Sequence, residues 1–310
     1  MAVSRFRKFL YDLPGIGKWI RQFYYERRME KEVAVNSRIS QDEIIRRLSE
    51  KYLKYIGRPL NIQEPRAFSE KIQWRKLFEH DERFARLSDK YQVREWVAQT
   101  VGEQYLIPLL GVWDRFDQID FRQLPRSFVL KATNSSATNV FVADSRKWNK
   151  RLAKRKFDFW MRHPFPYMGN FEMHYLNIKP RIIAEQYMHD ASRDGALWDY
   201  KFLCFHGEPK YVWVDLERRK GHRRNVYNMN WEKMPWVVHF DPPDYEIPRP
   251  ETLEEMIRVA RALSSRFDHV RVDLYNIQGK VYFGEMTFTS GDGHIKITPD
   301  EVDFMLGDLW

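Results

Sequence analysis

The hydrophobic positions of this chain change period after Gly111. Before it, from Ser40 to about Gln99, they recur at helical spacing. Ile44, Ile45, Leu48, Tyr52, Leu53 and Ile56 form the stripe that an amphipathic helix buries. Ser40, with Glu43 three residues on, reads as its N-cap, and Gly57 as its stop. Ala67 to Phe78 and Phe84 to Val97 predict two more helices. Beyond Gly111 the pattern turns to short runs of β-branched and aromatic residues, which predict strands over 127–131, 139–143, 182–188, 198–206, 210–216, 269–277 and 280–288. Helices return over 144–163 and 250–267, the second opening on Pro250-Glu251 as a helix start should. Asp241-Pro242-Pro243-Asp244 marks a loop. A composite α+β or α/β architecture is expected.

Composition narrows the class. A chain of 310 residues with 43% hydrophobic content buries a real core in one or two domains. Its formal charge of +9 favours an anionic partner such as nucleotide phosphate, acidic lipid or acidic polysaccharide. The single cysteine, Cys204, sits inside the apolar run Phe202 to Phe205, which excludes an internal disulfide and reads as simple packing. No stretch approaches the roughly 18 apolar residues of a membrane-spanning helix. Asp12, Lys18 and Arg21 interrupt any signal-peptide core, so a cytoplasmic location is expected.

Residues 1–36 stand apart, with eight Lys and Arg interleaved among Phe6, Phe9, Tyr11, Trp19, Phe23, Tyr24 and Tyr25. Two readings stand side by side. The mixture suits the inner face of an anionic membrane, with aromatics at headgroup depth. It equally suits an amphipathic helix docked on the protein's own body, broken in two by Pro14-Gly15.

Three stretches could carry chemistry. In the hairpin Arg271 to Phe288, strand alternation puts Arg271 and Asp273 on one face and Val272 and Leu274 on the other. Asp273 and Glu285 are twelve residues apart, so a two-residue turn at Gln278-Gly279 would send them to opposite faces. A three-residue loop, Ile277 to Gly279, keeps them together, as would a bulge. Two carboxylates beside the Thr287 hydroxyl offer the hard oxygens that Mg²⁺ prefers. A solvated hairpin whose charges do nothing is the competing reading. The second stretch, FVLKATNSSATNVFV, is a strand ending in Lys131, a loop with Ser135 and Ser136, and another strand. Such a loop can lie over phosphates, although it lacks glycine and also reads as an ordinary turn. In the third, a strand ends at Glu185, Gln186, Tyr187 and Met188, whose peptide groups could meet an adenine edge, and the next begins with Asp199 and Lys201 on one face. No Walker A, GxGxxG or GxSxG pattern occurs, and the nine histidines lack zinc-type spacing.

The order of these pieces resembles the TupA-like ATP-grasp family of cell-surface polysaccharide biosynthesis. The resemblance runs from about Asn61 to Trp310. Its most specific blocks are FSEKIQWRKLF, LSDKYQVREWV, YLIPLLGVW, FVLKATNSS, PRIIAEQYM, DYKFLCFHG, RVDLYNIQGKVYFGEMTFTSGDG and DFMLGDLW. It implies an ATP-grasp fold: a basic segment over 1–36, a helical N-terminal part over 37–125, a β-rich lid over 126–188 and a C-terminal catalytic sheet over 189–310. It also implies roles. Lys90 and Lys131 would hold ATP phosphates, with Ser135 and Ser136 in the lid. Glu185 to Met188 would form the adenine hinge, and Asp199 the ribose contact. Lys201 would touch phosphate, Asp273 and Glu285 would bind Mg²⁺ with Thr287 where many relatives have Asn, and Arg271 would steady an acyl phosphate. The implied activity is ATP-dependent carboxylate–amine ligation of an acidic saccharide with an amine, with Arg218, Arg219, Arg223 and Arg224 as candidates for the acidic partner. No nucleic acid is expected. A glycosyltransferase, which would consume a sugar nucleotide without forming ADP, and a non-catalytic polysaccharide-binding protein are the rival classes, and the absence of a convincing DxD counts against the first.

Overall fold

The computed structural model describes residues 17–193, 195–216 and 221–310. The chain starts with helices α1 (Gly17–Asn36), α2 (Gln41–Ile56), α3 (Phe68–Phe78), α4 (Glu82–Ser88) and α5 (Val93–Thr100). Helix α2 begins and ends where the sequence places its caps. The Ser40 hydroxyl accepts from the Glu43 N–H at 3.3 Å, and Gly57 closes the helix in the left-handed region at φ 91°. The single helix expected over 84–97 is instead two. Asp89 breaks it, because its carboxylate accepts from the Tyr91 and Gln92 N–H groups at 2.8 and 3.3 Å and so starts a new turn. Lys90 is thereby presented from the corner between α4 and α5.

Two antiparallel sheets follow. The smaller contains β1 (Leu109–Trp113), β2 (Phe128–Ala132), β3 (Asn139–Val142) and β4 (Ile182–Gln186) in the order β1-β4-β2-β3. Strand β1 lies in a segment whose pattern showed no strand, and it is a strand because β4 pairs with it. Helix α6 (Lys150–Arg162) begins later than the expected 144, after the Asn149 carboxamide caps the Leu152 N–H at 2.9 Å. Its Ala153, Phe157 and Trp160 cover one face of this sheet with Phe128, Leu130 and Ile182.

The larger sheet contains β5 (Asp199–Phe205), β6 (Glu208–Leu216), β7 (Arg223–Asn228), β9 (His269–Ile277) and β10 (Lys280–Thr287), ordered β10-β9-β5-β6-β7. A small ribbon pairs β8 (Val237–Val238) with β11 (Ile297–Thr298). One face of the large sheet, carrying Tyr200, Phe202, Cys204, Val270, Val272 and Leu274, packs on helix α7 (Leu253–Ser264) through Leu253, Met256 and Ala260. Cys204 is buried there, and burial pushes its thiol up to about 12, in keeping with a packing role. The opposite face has two halves. Leu203, Phe205 and Trp213 pack against Phe68 and Ile72 of α3 and against Val302 and Leu306 of the closing helix α8 (Asp300–Asp308). Farther along the same strands, Asp199, Lys201, Arg271 and Asp273 occupy that face, and the apolar cover gives way to a polar cleft.

Helix α1 docks on the body. Its Gln22, Glu26, Met29 and Asn36 are buried, Glu26 takes Arg155 of α6 in a bidentate ion pair with distances down to 2.6 Å, and the Asn36 side chain donates to the Tyr167 carbonyl at 2.8 Å. The first half of the basic-aromatic segment, residues 1–16, lies outside the described residues. No helix among the described residues is long and apolar enough to cross a membrane.

Candidate active site

The hairpin β9-β10 positions the acidic centre, and of the two expected routes, a three-residue loop or a bulge, it takes the bulge. The turn is the two-residue Gln278-Gly279, with both residues at positive φ (53° and 80°), between paired Ile277 and Lys280. This is the tight connection that suits twisted antiparallel strands. By itself it would put Asp273 and Glu285 on opposite faces. The strands are out of step at Gly284, however: Leu274 pairs with Phe283 and Asp273 pairs directly with Glu285. This one-residue bulge returns the two carboxylates to one face. A side chain at 284 would meet the Asp273 carbonyl oxygen at 3.0 Å and the Tyr275 ring at 3.1 Å, so the site calls for glycine.

Around this pair the cations converge. Arg271 donates through Nε and Nη2 to the two oxygens of Asp273 at 2.6 and 2.8 Å, and through Nη2 to Glu285 at 3.2 Å and Thr287 Oγ1 at 3.1 Å. Lys201, paired across from Asp273 in the sheet, bridges Asp199 at 2.7 Å and Asp273 at 2.6 Å. Burial opposes ionisation of Asp273, but Arg271 and Lys201 outweigh it and hold its carboxyl well below the usual range. Burial likewise works against the Lys201 ammonium, while Asp199 and Asp273 raise its pKa above the ordinary value.

The small sheet supplies the opposite wall. Lys131 of β2 and Glu185 of β4 are diagonal neighbours across the ladder and pair at 2.6 Å, and Glu185 also accepts from Arg94 of α5 at 3.1 Å. Lys90 donates to the Ser135 carbonyl in the loop between β2 and β3. Burial, offset in part by Glu285 and reinforced by Lys131, pushes the Lys90 ammonium down to about 8. The space between the walls is about 160 Å³ and is lined by four cations, Lys90, Arg94, Lys131 and Lys201, and four carboxylates, Glu185, Asp199, Asp273 and Glu285. Ser136, Ala137 and Asn139 complete the small-sheet side.

The sequence reading had not singled out Arg94 or Asn139. Arg94 lay on an ordinary helical run, and its role follows from α5 facing β4. Among the described residues Asn139 Oδ1 is buried without a hydrogen-bond partner, which leaves its desolvation uncompensated. Other expected residues sit at the margin. The Ser135 hydroxyl is engaged within its loop by Thr138 at 2.6 Å. Gln186 is exposed and its N–H already donates to the Pro108 carbonyl at 3.0 Å, Tyr187 lies edge-on to Phe141, and Met188 is half-buried. Of the four arginines suggested for an acidic partner, Arg218 and Arg219 fall outside the described residues. Arg224 is buried in a bidentate pair with Asp215 at 2.5 and 2.9 Å, so its charge is spent inside the fold. Arg223 lies 3.9 Å from Asp241.

The donor chemistry suits Mg²⁺, but Arg271 now occupies all three donors, Asp273, Glu285 and Thr287, and Lys201 also takes Asp273, so an ion would have to displace these cations. Asp273, Glu285 and Thr287 offer hard oxygens on one face, and Glu285 keeps 46% of its side chain exposed toward the cleft. Two carboxylates and a hydroxyl fall short of a full protein cage, as suits an ion that retains waters and phosphate oxygens.

No curated protein shows significant sequence similarity to the chain. Among solved structures it is similar to the D-alanine–D-alanine ligase of Bacillus anthracis complexed with ATP, at 13% identity over 67% of this chain and 56% of that one, with a TM-score of 0.39. It is similar also to the L-amino acid ligase of Bacillus licheniformis, at 15% identity over 66% and 44%, with a TM-score of 0.42. The VanG D-Ala:D-Ser ligase of Enterococcus faecalis gives 11% over 73% and 61%, with a TM-score of 0.42. The chain thus spans about half the length of the first structures it matches. These likenesses are distant, and a family model decides the assignment: the one described as TupA-like ATPgrasp matches residues 70–310. The chain belongs to the TupA-like ATP-grasp family.

Proposed function

We propose that this protein is an ATP- and Mg²⁺-dependent carboxylate–amine ligase that joins an acidic sugar to an amino acid or other amine in cell-surface polysaccharide biosynthesis. The observation that carries the reading is the convergence of Lys90, Lys131, Lys201 and Arg271 with Asp273 and Glu285 between two sheets. Such a set neutralises a triphosphate and keeps oxygens for a cation.

In the reaction, a substrate carboxylate attacks the γ-phosphorus of ATP, ADP leaves, and an amine displaces phosphate from the acyl phosphate to form the amide. Lys90 and Lys131 would release their present partners, the Ser135 carbonyl and Glu185, to meet phosphate oxygens. The present space of about 160 Å³ is below the roughly 300–1,000 Å³ of small-molecule sites, so the loop over 134–139 must lift for the nucleotide to enter. Asn139 would give its unpaired oxygen to a ligand donor. Glu185 to Met188 would border adenine and Asp199 the ribose. Arg271, which now bonds Asp273, Glu285 and Thr287, would leave them to the metal and present its guanidinium to the negative charge that develops on the acyl oxygen. Mg²⁺ held by Asp273 and Glu285, with Thr287, would supply charge neutralisation of the transferred phosphate.

The surface of α1 favours a peripheral membrane position. Phe23 and Tyr24 are exposed at 42% and 38%, with Lys18, Arg28 and Lys31 exposed beside them, while the buried side of the helix is largely polar. Aromatic and basic groups facing outward together suit an anionic lipid surface. Incubation with ATP, Mg²⁺, uronic-acid saccharides and amino acids, followed by assay of ADP and of a new amide by mass, tests the activity. ADP release that does not depend on both co-substrates, or consumption of a sugar nucleotide without ADP, refutes it.

A further inference from the structure

A second cavity, of about 370 Å³, shares Ser136 and Ala137 of the 134–139 loop with the nucleotide cleft. Its other walls come from Gln22 and Tyr25 of α1, Lys156 and Trp160 of α6, and His163 and Phe165 just beyond. Its volume falls within the roughly 300–1,000 Å³ of small-molecule sites. The lining is of two kinds: aromatic rings from the helices, and amide, hydroxyl and imidazole groups around them.

Lys156 is the informative residue. It is half-buried against this cavity, and among the described residues it has no ion pair or hydrogen bond. Asp158, two residues on, is committed to Lys154, and Glu26 of the facing helix α1 to Arg155. Burial, with Lys18 nearby, lowers the pKa of its ammonium from the ordinary value, so the fold bears a cost to keep a cation there. A cation without a partner, at the wall of a cavity with aromatic faces and hydrogen-bonding groups, selects an anion that has both an apolar face and hydroxyls.

We propose that this cavity is a binding subsite for a carboxylate-bearing sugar, with Lys156 as its ion-pair partner, and that its occupancy is coupled to the nucleotide cleft through the shared loop. The coupling has a physical route: Lys90 in the cleft holds the Ser135 carbonyl, and Ser136 and Ala137 follow directly in the wall of the second cavity. Because this one loop forms part of both walls, moving it to admit a ligand on one side changes the space on the other. The proposal rests on the ligase reading only for the use made of the sugar; binding at Lys156 stands independently.

The test is calorimetric titration of the full chain with glucuronate, and with glucose as the uncharged control, each with and without a non-hydrolysable ATP analogue. Glucuronate is expected to bind at least tenfold more tightly than glucose, and Lys156→Gln to abolish that preference while nucleotide affinity stays within twofold. The analogue should change the glucuronate Kd, and glucuronate the analogue Kd, by the same factor, as linkage requires. Equal binding of the two sugars, binding of neither, or an unaltered preference in the Lys156→Gln protein overturns the subsite. Two independent Kd values overturn the coupling. If the variant fails to fold, Lys156→Met, which keeps the apolar stem and removes only the charge, takes its place. Loss of the sugar result with intact nucleotide binding leaves the ligase reading standing, whereas failure to bind nucleotide strikes that reading itself.

Discussion

Lys90 and Lys131 are each paired with the protein, and their partners are ones a nucleotide can replace: a carbonyl and a carboxylate. Replacing Lys131 with Met should weaken ATP binding about tenfold or more, on the scale of roughly 1.5–3 kcal/mol for a charge-assisted hydrogen bond, as read by titration with a fluorescent ATP analogue. Unchanged affinity in both the Lys90→Met and Lys131→Met proteins would remove these lysines from the phosphate site. The depressed pKa of Lys90 makes a further prediction. Triphosphate binds the ammonium form and raises its pKa, so affinity should be flat below pH 8. As pH rises through about 8 the free protein loses that proton, and affinity should fall by up to tenfold per unit. Arginine stays charged throughout this range. Lys90→Arg should therefore flatten the fall, and a wild-type profile flat to pH 9.5 would contradict the assignment.

Among the elements, the β9-β10 hairpin shows how little backbone separates paired carboxylates from a surface ribbon. One extra residue at Gly284 brings Asp273 opposite Glu285, and the contacts a side chain would meet there are backbone and an aromatic ring. Gly284→Val should cost about 1–3 kcal/mol of stability by forcing strand displacement, measured by denaturant unfolding. Turnover should drop by far more than that loss implies, because displacement separates the paired carboxylates. Equal turnover in a folded Gly284→Val protein would show that the bulge does not matter to the chemistry. The complementary variant, Glu285→Gln, should leave the fold intact and abolish the Mg²⁺ requirement together with the activity. The turn at Asp89 acts similarly, since a continuous helix over 84–97 would carry Lys90 along its flank and not at a corner facing the loop between β2 and β3.

At the scale of the whole molecule, two sheets meet at a polar seam while their remaining faces are sealed by α3, α6, α7 and α8. Outside that body α1 turns basic and aromatic residues to solvent. Reversing Lys18, Arg28 and Lys31 to Glu together should remove co-sedimentation with anionic vesicles, each basic group near such a surface contributing on the order of 1 kcal/mol, while ATP binding is unaltered. Binding to vesicles that survives the triple reversal would dismiss the membrane role of this face. Much of this molecule was legible beforehand. Cap residues at Ser40 and Gly57, the alternation along β5 and β9, and the ordered blocks from FSEKIQW to DFMLGDLW depend on neighbours close in the chain, and propensity and periodicity register such local effects directly. The choice between loop and bulge in the hairpin, the strand at Leu109–Trp113, the recruitment of Arg94 to Glu185 and the burial of Arg224 against Asp215 were not legible. Each depends on a partner distant in the chain or on a one-residue slip that leaves local composition unchanged. The sequence by itself determined which charges this protein carries and in what order. Only the tertiary structure decided which of them face one another, because cross-strand register and the packing of helices on sheets set side-chain distances that no local pattern encodes.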